Sequence, residues 1–275
     1  MELGLLIQWT FVPVLVVVVA AGAVTLWAAA RHPRWPARRT WATLGGLGAT
    51  AVAVGSGIDA RADLLLSVHT VQHMLLGLVA APLLVAGAPI RLALGTLARG
   101  PRLALARGLH TRPVRALSHP SIGLVVFAGT LAVVHVPAVY GAALAHPGLH
   151  AAEHAALLGS GVALWAPVIA ADPLPHRCGV VLRVSVIIGA TVAMNALGAA
   201  LVSAREVVYP AYRASSVALG RDPLADQSLA GGIMWVGGMA IVLPLLLTVA
   251  WGALIGEERR QRAREAHADG RRAHS

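Results

Sequence analysis

The chain has 275 residues, 57% of them apolar and 12% charged, with a formal net charge of +10. That balance excludes an ordinary soluble domain, in which about a quarter of the residues are charged, and fits a polytopic membrane protein. All 22 basic residues are arginines lying between apolar runs, so the charge reads as orientation in a lipid bilayer, with no nucleic-acid partner. Cys178 is the sole cysteine, which excludes a disulfide framework and any CxxC metal or redox motif.

A helix needs about 20 apolar residues to cross the hydrocarbon core. Seven such spans are predicted, near residues 10–30, 39–57, 66–88, 121–140, 150–170, 180–203 and 229–254. The fold class is therefore all-α: a transmembrane helix bundle forming one domain over residues 1–256, followed by a charged cytoplasmic tail, 257–275, expected to be frayed or disordered. Glu2 precedes the first run and arginines follow it, so that run reads as an uncleaved span with its N-terminus outside.

The loops orient the bundle. Loop 31–40 carries Arg31, Arg34, Arg38 and Arg39. Loop 91–119 carries Arg91, Arg99, Arg102, Arg107, Arg112 and Arg115. Arg177 and Arg183 flank the fifth connection, and six more arginines lie in the tail. Only Arg61, Arg205, Arg213 and Arg221 fall on the opposite side, which predicts N-out, C-in. Within residues 92–108 arginine alternates with Leu and Ala at roughly helical spacing. Two readings fit that segment: an amphipathic helix on anionic headgroups, or a basic loop without fixed structure.

Once the loops are placed, the polar residues of the apolar runs converge on the arginine-poor side. His69 and His73 open the third span, His135 closes the fourth, and His150, Glu153 and His154 open the fifth. Asp222 and Asp226 precede the seventh span, and Met194, Asn195 and Met234 fall in the outer halves of the sixth and seventh. Ionisable residues at membrane depth are costly and point to function. Residues i and i+4 of a helix share a face, so each histidine pair presents two nitrogens to one side. Imidazole, carboxylate and thioether without thiolate suit a late first-row transition metal, copper above all, with zinc or iron also possible.

Structural readings stand beside these. A lone intramembrane histidine such as His135 can simply bond a neighbouring helix, and Met194 and Met234 can be core filler. Asp222 and Asp226 can cap the seventh helix or line a polar entrance. Glu153 can be a ligand, an orienting group or the partner of an arginine such as Arg205. His150-Ala-Ala-Glu153-His154 also matches the H-x-x-E-H pattern of zinc hydrolases, and one histidine from each pair could hold a haem between two spans.

Several stretches together resemble the CtaG-type cytochrome c oxidase assembly proteins. They are His69-x-x-x-His73-Met-Leu-Leu with Pro82 and Pro89, His135-x-Pro137-x-x-Tyr140, His150-x-x-Glu153-His154 running to Trp165-x-Pro167, and Asp222-Pro223-x-x-Asp226-Gln to Gly231-Gly232-x-Met234-Trp235. The resemblance covers most of residues 60–252. It implies a multi-span protein of the bacterial plasma membrane that helps to form active oxidase, with copper-centre maturation as its usual role. Its implied partners are oxidase subunits or other copper-handling proteins, and it implies no enzymatic turnover. Single-span chaperones of the same name use paired cysteines, a pattern from which this chain departs.

Overall fold

The computed structural model describes residues 12–176 and 178–272, and every regular element among them is helical. The start of the first expected span, Arg177 and the last three residues lie outside the described residues. Helices α1 (Val12–Ala30) and α2 (Ala37–Gly55) pack together, and a short α3 (Gly57–Ala62) leads into α4 (Leu66–Met74). A wide turn of π type, Leu75–Ala80, joins α4 to α5 (Ala81–Ala86), and α6 (Pro89–Thr96) follows a left-handed Ala88 at φ 53°. The remainder comprises α7 (Arg99–Leu109), α8 (Arg112–Leu117), α9 (Pro120–Val134), α10 (Pro137–Ala145), α11 (Pro147–Ile169) and α12 (Val180–Ser203). After a 3₁₀ turn at Pro210–Tyr212 come α13 (Arg213–Ala218), α14 (Pro223–Gly232), a second π turn at Ile233–Gly237, and α15 (Gly238–Arg272).

Five segments are long and apolar enough to cross a membrane: Pro13–Ala30, Leu66–Thr96, Pro147–Ile169, Val180–Ser203 and Pro223–Gly252. The pair α9 and α10, bent by 74°, makes up to six. The bend falls within the expected span 121–140, because Pro137 offers no N–H and holds Val136 extended at ψ 124°. The expected second span falls on helix α2, which is not among these segments: Arg38, Arg39 and its threonines leave its 19 residues less apolar. The arginine-rich segment after residue 88 is helical, as α6, α7 and α8. Beyond Gly256 the chain continues α15 to Arg272, where fraying was expected from charge alone; Ala, Arg, Glu and Gln are strong helix formers.

Helix α11 runs through the centre, against α9 on one side and α5 with its π turn on the other, while α12 packs on α9, α14 and α15. Trp165 and Leu164 of α11 fill the main core with Met74, Phe127, Ile187, Met194 and Met234. Trp165 Nε1 donates to the Gly77 carbonyl at 2.9 Å, using an oxygen that the π turn offers to a neighbouring helix. Outward faces are apolar and exposed, for example Val16 and Val19 on α1 and Leu247 and Trp251 on α15, as a lipid-facing surface requires.

Two glycine contacts set the helix spacing. A Cβ at Gly231 would meet the Gly198 carbonyl oxygen at 2.6 Å, and one at Gly198 would meet that of Gly231 at 2.8 Å. Helices α12 and α14 therefore touch backbone to backbone, as small residues permit in membranes. Gly198→Ala or Gly231→Ala should destabilise the bundle by about 1–3 kcal/mol, the usual cost of overpacking. Gly129→Ala, whose Cβ would meet nothing within 4 Å, should not. Unfolding in mixed detergent micelles reads the difference.

Candidate metal centre

The connections sort into two ends. At one, the Asp172 carboxylate accepts from the backbone N–H groups of Ile90 and Arg91, at 3.4 and 2.7 Å, joining the α11–α12 loop to the start of α6. At the other, the Tyr212 hydroxyl donates to the Ala62 carbonyl at 3.0 Å, Ser215 Oγ to that of Leu64 at 2.8 Å, and Tyr209 to that of His135 at 2.9 Å. This second end holds the first turns of α4 and α11, and with them both histidine pairs.

Four-residue spacing on two helices that start at the same end brings the pairs face to face. The His69 and His73 rings are 4.3 Å apart, those of His150 and His154 also 4.3 Å, and His69 lies 5.1 Å from His150 and 6.3 Å from His154. His69 is fully buried, and His73, Glu153 and His154 are buried with it. Two sets of three donors, His69 with His150 and His154, and His69 with His73 and Glu153, each lie within 4.8 Å of one another.

Hydrogen bonding assigns the ring nitrogens. The Tyr212 hydroxyl spends its proton on Ala62, so at 2.8 Å it accepts from Nδ1–H of His69. That leaves Nε2 of His69 bare, facing Nε2 of His73 at 2.7 Å; His73 supplies the proton between them. Nε2 of His73 is also 3.5 Å from Oε1 of Glu153. Nδ1 of His150 lies 3.8 Å from the Asp63 carboxylate, so its Nε2 turns inward. Burial pushes the Tyr209 phenol up to about 12 and raises that of Tyr212 well above its ordinary value, so both keep the protons they donate.

One feature is left over. Nε2 of His150, Nε2 of His154 and both carboxylate oxygens of Glu153 are buried without any hydrogen-bond partner. Buried polar groups are ordinarily satisfied, each failure costing about 1–3 kcal/mol. Four such atoms beside a bare imidazole nitrogen form a donor set suited to a cation, and the types present fit a transition ion.

The other expected residues separate from this set. His135 stands at the end of α9 with its ring 6.0 Å from that of His73, and its Nδ1 donates to the Leu131 carbonyl at 2.8 Å. It is adjacent to the donors but belongs to neither set of three. Met194 and Met234 belong to the apolar core, and neighbouring Asn195 keeps a buried, unpartnered Oδ1. Asp222 caps α14, accepting from the N–H groups of Leu224 and Ala225. Asp226 is buried and accepts from Ser67 N–H and Ser67 Oγ, pinning α14 to the start of α4. Arg205 lines a cleft with Glu206 and Arg213, whereas the carboxylate of Glu153 lies by His73, 3.5 Å from its Nε2.

Sequence reasoning passed over Tyr212, Asp63 and Gln72. Gln72 is fully buried and donates to Asp59 and to the Ala53 carbonyl. Its position among apolar residues between the two histidines was a usable signal, by the same cost of polar groups at membrane depth. Tyr212 and Asp63 lie in connections distant in sequence and carry no such mark.

The family described as cytochrome c oxidase caa3 assembly factor matches residues 13–254. The chain belongs to this family. Uncharacterized proteins of Mycobacterium bovis and Mycobacterium tuberculosis are each 30% identical to it over 269 residues, 94% of the chain and 40% of their own length. One of Mycobacterium leprae is 29% identical over 251 residues, 88% of the chain and 37% of its own length. The chain thus spans less than half the length of these relatives, and no solved structure matches it. In this chain Tyr212→Phe removes the acceptor of the His69 N–H. It should lower stability of the metal-free protein by about 1–3 kcal/mol, whereas Tyr→Phe at a satisfied surface site would not; detergent unfolding in the presence of a chelator measures it.

Proposed function

We propose that this assembly factor holds a transition metal, copper by preference, at the histidine end of its bundle and passes it on while cytochrome c oxidase is built. The observation that carries the reading is the group of four buried, unpartnered donor atoms of His150, Glu153 and His154 beside the bare nitrogen of His69. Copper is cargo here, so a site made of imidazole and carboxylate, without thiolate, suits release as well as capture. The partners in this reading are oxidase subunits or other copper-handling proteins.

The same reading has seven spans in the bacterial plasma membrane, with the N-terminus outside, the C-terminus inside and the site facing the extracytoplasmic space. Helix α2 is counted because its 19 residues reach roughly 28 Å, close to the hydrocarbon thickness. Arg38 and Arg39, in its first turn, can extend to the headgroups. The arginine loops gather at the end opposite the histidines, which supports a cytoplasmic arginine end. A reporter active only in the cytoplasm should work after Ser275 and be silent at His146, between α10 and α11; the reverse would turn the site inward.

The purified protein should contain copper by elemental analysis, and His69→Ala, which removes the donor common to both sets of three, should lose it. Glu153→Gln should weaken binding by the milder 10–100-fold, on the order of the loss of an orienting group. Cells carrying His154→Ala should recover part of their oxidase activity when copper is added. Zinc content, with proteolysis that Glu153→Gln abolishes while the metal stays, would give the residues to a hydrolase instead. A Soret band would give them to haem.

A further inference from the structure

The two sets of three donors are not two independent sites, because His69 belongs to both. Nδ1 of His69 is committed to Tyr212 at 2.8 Å, so Nε2 is its only nitrogen free to bind an ion, and one lone pair serves one ion. Nε2 of His69 also sits only 2.7 Å from Nε2 of His73. Two nitrogens on one tetrahedral ion, with bonds of about 2.0–2.1 Å, stand roughly 3.3 Å apart. Binding at the His73 set therefore replaces the hydrogen bond between these rings with a shared ion, the proton on Nε2 of His73 passing to its Nδ1.

The sets also differ in access. His150 lies in the first turn of α11, its side chain 14% exposed and next to the half-exposed Asp63, while the side chains of His73 and Glu153 are each only 5% exposed. His73 lies one turn further along α4 than His69.

From this arrangement we infer that the centre is a two-station site for a single Cu(I) ion. His69, His150 and His154 form the station nearer the surface; His69, His73 and Glu153 form the buried one; and His69 stays bound as the ion moves between them. Asp63 holds His150 in the orientation that receives the ion. The inference rests on the reading of this end as a metal site, and deepens it by giving the ion's number and route.

The test uses the full chain in detergent under anaerobic reducing conditions, with Cu(I) as probe and a chromogenic Cu(I) chelator as acceptor. Wild type should bind one Cu(I) per chain. His73→Ala leaves only the outer station and should release its ion to the chelator at least about tenfold faster. His150→Ala leaves only the buried station and should release it slower by a similar factor, on the scale of single-group effects at metal sites. His69→Ala, common to both, should retain none. Two ions per wild-type chain would overturn the shared-ligand scheme, and that measurement needs no variant to fold. Equal release rates from His73→Ala and His150→Ala would also overturn it, while leaving a single undivided metal site. A wild type that binds no Cu(I) would overturn this inference together with the metal reading.

Discussion

The histidine end depends on how the first turn of α4 is held. Ser67 is fixed through both its N–H and its hydroxyl to Asp226 of α14, and His69 is fixed through Nδ1 to Tyr212. Ser215 reaches the Leu64 carbonyl just ahead of the helix. These contacts come from segments about 150 residues away in sequence, as the Tyr212–Ala62 separation shows. Apart from the exposed Ser215 contact, each is a buried bond between polar groups that could find no water partner, so losing one leaves the other uncompensated. The result is a rigid mount for His69, and the second histidine pair on α11 is positioned against it.

Helix breaks serve the same end. Pro137 ends α9 and turns the chain by 74°, which frees the His135 carbonyl; Tyr209 then donates to it. The π turn at Leu75–Ala80 comes immediately after His73 and Met74 and before Pro82, which could not continue a regular ladder. It also offers the Gly77 oxygen to Trp165. Prolines that would weaken a soluble helix here create acceptors that other helices satisfy, so the breaks tie the bundle together.

Much of this was legible in the sequence. Apolar run lengths placed most of the spanning helices, and i, i+4 spacing placed both histidine pairs, because helix geometry alone fixes which side chains share a face. What stayed hidden depended on distant contacts. Pro137 marks a break within the run 121–140, but the direction α10 takes after it depends on its packing against α11, which that run does not encode. Asp222 and Asp226 looked equivalent in sequence, yet one caps its own helix and the other serves a helix 159 residues away. Met194 and Met234 matched a copper ligand's chemistry as well as a core filler's, and only packing assigns them to the core.

The geometry also weighs the three chemistries that the histidines left open. A haem held between two helices needs a slot for a flat macrocycle between its axial imidazoles. Here His69 is packed by His73, Tyr140 and His150 with ring centres 4.3 to 5.1 Å away, a spacing that suits an ion rather than a porphyrin. A hydrolase of the H-x-x-E-H type needs its glutamate beside a water on the ion that the two motif histidines hold. In this bundle His150 and His154 gather with His69, while Glu153 gathers with His69 and His73 from the other helix. The glutamate is thus placed as a donor within an alternative set, and the pair on α4, which a hydrolase scheme leaves without a task, becomes half of the site. Under the proposed function, an arrangement in which both pairs share one donor, His69, suits keeping and handing over a metal better than it suits activating water.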